Sequence, residues 1–323
     1  MKANLHDDFY GGYTGYEIKE KWPTIKSENL SWTNDETDLS IYLENPRHWI
    51  EYVKNGNGSK YNVLVMIEPI SLTKHETSTD KEVYDIIKLK ENYELFDMIL
   101  TTYPEYPDID SRFKYYPGGL RSYIKKGHWG IYKKLENTCM LASKKNILEG
   151  HKLRQQIKWG CVPEMSDINY KALFHQRLME SLLSFIPKIH FPVTTNPEQK
   201  YDLYSDKMDL TGNYMFEVVV ENEKGDFFSE KILDAMLVGS IPIYWSDGVE
   251  KDKSLSVFDT NGIITFETIH DLKNIMDMRN SYLNIGEYTS RGDSIKHNFE
   301  VAKKYSSMGE VLWIHGIKEL MGG

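Results

Sequence analysis

Between positions 221 and 231 the chain gathers Glu221, Asn222, Ser229, Glu230 and Lys231, the polar centre of the segment YMFEVVVENEKGDFFSEKILDAMLVGSIPIYW at 214–245. The β-branched run FEVVVE at 216–221 predicts a buried strand. The amphipathic stretch at 230–237, closed by Gly239, predicts a helix, and IPIYW at 241–245 a second strand. Ser229 stands where an N-cap belongs, its hydroxyl able to satisfy a first-turn backbone N–H. The helix start would then offer N–H groups, a positive dipole end and the Lys231 ammonium, a combination that suits a diphosphate. Glu230 beside it can accept hydrogen bonds from ribose hydroxyls. A lone Ser-Glu-Lys is more often a solvated surface pair; the strand, loop, helix and strand around it set this one apart.

Other candidates are single residues. Glu68 closes the apolar run YNVLVMIE at 61–68, just ahead of Pro69; it is either a carboxylate at a working strand end or only a terminator. Arg154 lies in the helical stretch GHKLRQQIK at 150–158, as a ligand or as a solvated charge, and His151 near its start reads as a local cap or a core histidine. Asp108 and Asp110 form an Asp-x-Asp triplet able to chelate a hard cation, but they follow Pro104 and Pro107 in an early loop. Trp129, Tyr132 and Trp159 read as packing residues.

The elements that must position these groups alternate. Residues 1–30 carry Gly and Tyr with little periodicity and are expected to be irregular. Strands are expected at 38–43, 61–68, 98–102 and 113–116, with helices around 46–53 and 80–96. The rhythm restarts with a strand at 139–143, helices at 150–158 and 170–185, strands at 216–221, 241–245 and 262–266, and two closing helical stretches. This is the pattern of an α/β protein with two mostly parallel, doubly wound sheets, and ligands of such sheets bind beyond the carboxyl ends of the strands. The Gly-, Lys- and aromatic-rich stretch 118–134 is the expected boundary, dividing residues 1–130 from 131–323.

The run ENEKGDFFSEKILDAMLVGSIPIYW resembles the donor-binding motif of glycosyltransferase family 10, the α-1,3-fucosyltransferases. Upstream, MLASKKNILEGHKLR is similar to the family segment whose arginine faces the donor pyrophosphate, and VLVMIEP and FDMILTT resemble its acceptor-domain strands. The matches keep family order over most of the chain. The resemblance implies two Rossmann-like domains facing across a cleft (GT-B type), with the acceptor in the first and the nucleotide sugar in the second. It puts Glu68 at the catalytic carboxylate, Arg154 and Lys231 on the diphosphate, Asn222 at the donor-binding asparagine and Glu230 on the ribose. Phe227 and Ser229 fall in the same donor motif. Phe227 stands where the family has Tyr, Ser246 replaces a Gly, and the loop from Asn222 to Glu230 is one residue shorter than in some bacterial members. These departures bear on the sugar more than on the nucleotide.

The implied activity is inverting transfer of L-fucose from GDP-fucose to a glycan hydroxyl. A transferase of another nucleotide sugar and a non-catalytic carbohydrate-binding relative stay open beside it. No cofactor and no metal is expected for the chemistry. The net charge of −9 argues against a phosphate-tracking nucleic-acid binder. Cys139 and Cys161, the two cysteines, stand at no metal-ligand spacing and read as free thiols of a reducing compartment. The polar start and the lack of any apolar run of about 20 residues predict no signal peptide and no membrane span. The expectation is a cytoplasmic protein whose partners are a nucleotide sugar and a glycan, meeting any lipid-linked acceptor at the membrane surface.

Overall fold

The computed structural model describes residues 1–7, 27–33, 35–67, 85–142, 145–159, 189, 203–276 and 284–322. Two parallel sheets organise them. The first has the order β2-β1-β3-β4-β5-β6, formed by β1 (Lys2–Asp7), β2 (Ser31–Trp32), β3 (Leu39–Leu43), β4 (Tyr61–Met66), β5 (Met98–Thr101) and β6 (Phe113–Tyr115). The second has the order β10-β9-β8-β7, formed by β7 (Glu136–Cys139), β8 (Tyr214–Val219), β9 (Ile241–Trp245) and β10 (Ile264–Phe266). Every pairing is parallel. These are two Rossmann-like units, the fold class that the alternation of elements predicts. The expected helix at 170–185 lies outside the described residues, as do Pro69 and Cys161.

The opening of the chain departs from expectation. Instead of an irregular start, Lys2–Asp7 forms β1, with Asn4 to Asp7 in register against Ser40 to Leu43 of β3. Its apolar positions, Ala3 and Leu5, alternate over too short a run to stand out by periodicity, yet both are buried in the core. Neighbouring β2 on one side and β3 on the other, β1 sits where the strand order reverses, the place at which open α/β sheets form a ligand crevice.

Strands that are apolar throughout are buried on both faces, and the cores show it. In β4, Val63 and Val65 join one cluster while Leu64 and Met66 join another with α1 (Pro46–Tyr52). In β8, Phe216 and Val218, with Val220 just beyond, pack with Leu153 and Ile157 of α2 (Glu149–Trp159). The first cluster runs continuously from β1, β3, β4 and β5 to Ile232, Leu233 and Met236 of α4 (Glu230–Leu237). It also takes in Ala302 and Tyr305 of α5 (Gly292–Tyr305) and Leu312 of α6 (Met308–Leu312). Between α2 and α4 the chain forms α3 (Leu203–Thr211). The closing helices therefore return to the first sheet.

The carboxyl edges of the two sheets meet. After β6, Pro117 O accepts the N–H of Phe228 at 2.9 Å and Phe228 O accepts that of Gly119 at 3.0 Å. The Tyr115 hydroxyl donates to Asp226 O at 2.7 Å. Gly118 has φ of 120°, and a Cβ there would lie 2.0 Å from Phe228 O, so only glycine allows this approach. The loop that leaves β8 is thereby pinned against the end of the first sheet, which sets the two Rossmann-like units carboxyl edge to carboxyl edge.

Candidate functional site

The site forms where α2 and α4 both begin beside the end of β8. Alternation along β8 sends Glu217, Val219 and then Glu221 to the α4 side. There the Glu221 carboxylate accepts the Ser229 N–H at 2.9 Å, the Ser229 hydroxyl at 2.7 Å and the Lys231 Nζ at 3.1 Å. Ser229 is the N-cap of α4, as its position predicts, its Oγ accepting the Lys231 N–H at 3.3 Å. This changes the expected use of the helix end. The backbone N–H groups of Ser229 and Lys231 are already satisfied, and Glu221 supplies the negative charge that the dipole favours. A diphosphate arriving here would meet side-chain cations first.

Those cations come from three elements. Arg154 of α2 is buried at 6% exposure, with its two terminal nitrogens donating to Val220 O at 3.1 Å and to Asn222 Oδ1 at 2.9 Å. Its Nε is buried with no partner. Burial lowers its pKa, and Glu221 and Glu230 work against that. Lys231 is held between Glu221 and Glu230, with Glu230 Oε1 at 3.5 Å; burial works against its charge, but the two carboxylates raise its pKa. Arg121, from the segment linking the two sheets, places Nε 3.6 Å from Glu230 Oε2. Burial alone would raise the Glu230 pKa, yet Lys231, Arg121 and Lys207 hold it down at about 2.

Two close contacts fix these elements. The Gly150 N–H donates to Asn222 O at 2.9 Å, and a Cβ on Gly150 would stand 1.7 Å from Glu221 O. On α4, one turn beyond Glu230, Asp234 accepts the Ser122 hydroxyl at 2.5 Å and the Tyr123 N–H at 3.0 Å, and pairs with Lys207 of α3 at 2.7 Å. The linking segment is thus fastened along α4.

Of the residues singled out in the sequence, Arg154, Asn222, Ser229, Glu230 and Lys231 lie in this one network. Phe227 is half-buried, its ring lying against Gly225 and its carbonyl accepting the Tyr244 hydroxyl at 3.3 Å. Glu68 lies outside the described residues. Asp110 is taken up by Arg112, whose backbone N–H and guanidinium reach its Oδ1 at 3.0 and 2.9 Å. Ser246 turns its hydroxyl to Asp252 at 3.1 Å. Trp129 donates from its indole to Ile124 O at 2.9 Å, a packing role as expected. Cys139 is free and buried. No helix among the described residues is long and apolar enough to cross a membrane.

Two further residues escaped the sequence. Arg121 follows the Pro-Gly-Gly turn with nothing in its spacing to mark it. Glu44, at the carboxyl end of β3, is buried with φ of 51°, followed by Asn45 at 42°. Its N–H donates to Val65 O at 2.9 Å and its carboxylate accepts the Ile67 N–H, clamping the end of β4 immediately before Glu68. Two successive left-handed residues that are not glycine mark strain of the kind stored at working sites.

No protein-family model matches the chain, and no curated protein matches it. Among solved structures, an α1,3-fucosyltransferase is 14% identical with a TM-score of 0.46, covering 100% of this chain and 90% of the other. An α1,3-fucosyltransferase with GDP-fucose is 14% identical with a TM-score of 0.43, covering 95% of this chain and 90% of the other. The glycotransferase of kitacinnamycin is 9% identical with a TM-score of 0.38, over 87% and 76%. Likenesses this distant leave function to be argued from the residues of this chain.

Proposed function

We propose that the chain is a glycosyltransferase that takes a nucleotide sugar at the α2–α4 site and passes the sugar to a glycan hydroxyl near the carboxyl end of the first sheet. The observation that carries this reading is Arg154. A buried guanidinium is costly unless paired, and this one is braced by Asn222 and Val220 O while its Nε stays unmatched. A braced guanidinium with a spare donor suits a diphosphate leaving group. The resemblance to family 10 narrows the donor to GDP-fucose.

In this reading Glu68 accepts the proton of the acceptor hydroxyl as that oxygen forms the new bond to the anomeric carbon. The bond from that carbon to the β-phosphate oxygen breaks on the opposite face, so the configuration inverts and GDP leaves with the electron pair. Arg154 and Lys231 stabilise the charge that grows on the departing diphosphate. Glu230 is assigned to the ribose, with Arg121 and Lys231 keeping it ionised as an acceptor.

A thermal-shift panel of GDP-, UDP-, CMP- and dTDP-sugars tests the donor, because a ligand at 100 times its Kd stabilises the folded state by about 2.7 kcal/mol. GDP and GDP-fucose are expected to raise Tm, and GMP less. A clear preference for UDP- or CMP-sugars would replace the donor assignment. Transfer is expected to survive EDTA and the pair of substitutions Asp108→Asn and Asp110→Asn. Loss with EDTA and recovery with manganese would reject the cation roles given to Arg154 and Lys231.

A further inference from the structure

His151 is the third residue of α2, one turn before Arg154 on the same side of the helix. Its Nδ1 accepts the backbone N–H of Leu148 at 3.1 Å, so in the neutral ring the proton sits on Nε2. This is the task that Glu or Gln performs in a capping box, returning from the third helical position to the residue before the helix. A glutamate there would spend both oxygens as acceptors and add a negative charge. Histidine also accepts that N–H, adds no charge, and leaves an N–H donor on the far side of the ring. No acceptor for that Nε2–H occurs among the described residues, although the side chain is 2% exposed.

The surroundings favour an anion as its missing partner. Burial first, then the charges of Arg154, Lys145 and Lys231, hold the His151 pKa at about 4, so the ring is an uncharged donor at neutral pH. The Arg154 Nε, a buried donor without a partner, belongs to the same face of α2. Gly150, between Glu149 and His151, seats this turn directly on Glu221 and Asn222 with no room for a side chain. The ring orientation is thus set from both sides, by the Leu148 N–H and by the docked helix start.

We propose that His151 is a ligand of the donor diphosphate, placing its Nε2–H on a phosphate oxygen beside Arg154. This rests on the nucleotide-sugar reading above and adds a contact to it. The uncharged donor would complement the two cations by fixing the direction of one oxygen, which a lysine or arginine head does less strictly.

The test combines titration calorimetry with GDP and inorganic pyrophosphate and NMR of protein labelled with ¹⁵N-histidine, the His151 signals being assigned by their loss in His151→Gln. In the free protein the ring is expected as the Nε2–H tautomer, and GDP is expected to shift and protect that proton. His151→Leu should weaken GDP and pyrophosphate about tenfold or more, the scale of a hydrogen bond to a charged group. His151→Gln, which keeps both a cap acceptor and an N–H donor, should stay within a few fold and controls for folding. If GDP binds the wild type while the His151 signals stay fixed, or His151→Leu binds GDP undiminished, the His151 assignment falls and the nucleotide site stands. If neither GDP nor pyrophosphate binds the wild type, the nucleotide reading itself falls, and this assignment with it.

Discussion

Glu221 and Lys231, ten positions apart at the two ends of one loop, are joined by a 3.1 Å ion pair in which the carboxylate is buried and the ammonium is one-quarter exposed. The same carboxylate also takes the backbone N–H and the hydroxyl of Ser229. It closes the start of α4 with the protein's own negative charge.

Replacing Glu221 should separate structure from binding. Glu221→Ala leaves the Ser229 N–H and Lys231 unmatched, and the expected loss is about 1–3 kcal/mol in urea unfolding, moderated by the exposure of the lysine head. Glu221→Gln keeps an acceptor for Ser229 and removes the charge next to the proposed diphosphate position. It should lose less stability and bind GDP at least as tightly as the wild type. A tenfold weaker Kd for Glu221→Gln would mean that the charge itself is needed to hold Lys231 in place.

Gly150→Ala should be among the most damaging small substitutions in the chain. The added methyl would collide with the backbone oxygen of Glu221, which cannot step aside as a flexible side chain can. A loss of about 1–3 kcal/mol is expected, together with weaker GDP binding as Arg154 is drawn away from Asn222. Gly127→Ala, where the methyl would meet nothing within 4 Å, is the matched control and should be near neutral. Equal melting temperatures for the two variants would contradict the close docking of α2.

Mild acid should destabilise the fold through its histidines. Burial lowers the pKa of His6 and His315, and burial with nearby cations holds His151 at about 4. In the unfolded chain these rings take up protons near pH 6.5, so below that pH the unfolded state binds more protons and is favoured. The stability these rings contribute should be full above about pH 6.5 and decline from there through pH 4. The Glu230 carboxylate, held at about 2, adds a second loss that begins near its unfolded value of about 4.5. The buried Glu217 carboxyl, raised to about 7, works in the opposite sense over the same range, so the histidine contribution is read as a difference between two proteins. Urea midpoints stepped from pH 7 to pH 4 should fall more in the wild type than in His151→Gln, and a difference that does not change with pH would rule out a buried neutral His151.

Much of this was legible in the sequence because it depends on local rules. The β-branched run 216–221 and the cap at Ser229 each follow from neighbouring residues, and both are found as expected. The polar cluster that includes Glu221 is likewise visible there, and the period-2 alternation of the same strand puts Glu217 and Glu221 on one face. What stayed hidden depends on distant partners. β1 is a strand because β2 and β3 flank it, not because Lys2–Asp7 has strong periodicity. Arg121 meets Glu230 only because Gly118 lets two loops touch. The left-handed turn at Glu44 and Asn45 is held by β4; asparagine is at home in that conformation, but nothing about a glutamate announces it.

Glu68→Gln tests the proposed base. The substitution keeps size and hydrogen-bonding capacity but cannot accept the hydroxyl proton. Turnover should fall roughly 10²- to 10⁴-fold, the usual worth of general-base catalysis, with GDP affinity nearly unchanged. Wild-type turnover with a productive acceptor would make Glu68 a strand-end carboxylate only.

If Arg154 and Lys231 hold a diphosphate, the difference between GDP and GMP binding reads that contact. Titration calorimetry on the wild type, Arg154→Lys and Lys231→Ala isolates the β-phosphate, since base, ribose and α-phosphate are common to both ligands. The wild type should prefer GDP by about tenfold or more, as expected for a charge-assisted contact. That preference should shrink in each variant while GMP binding changes less. A wild type that does not distinguish GDP from GMP, or variants that keep the full preference, would contradict the account.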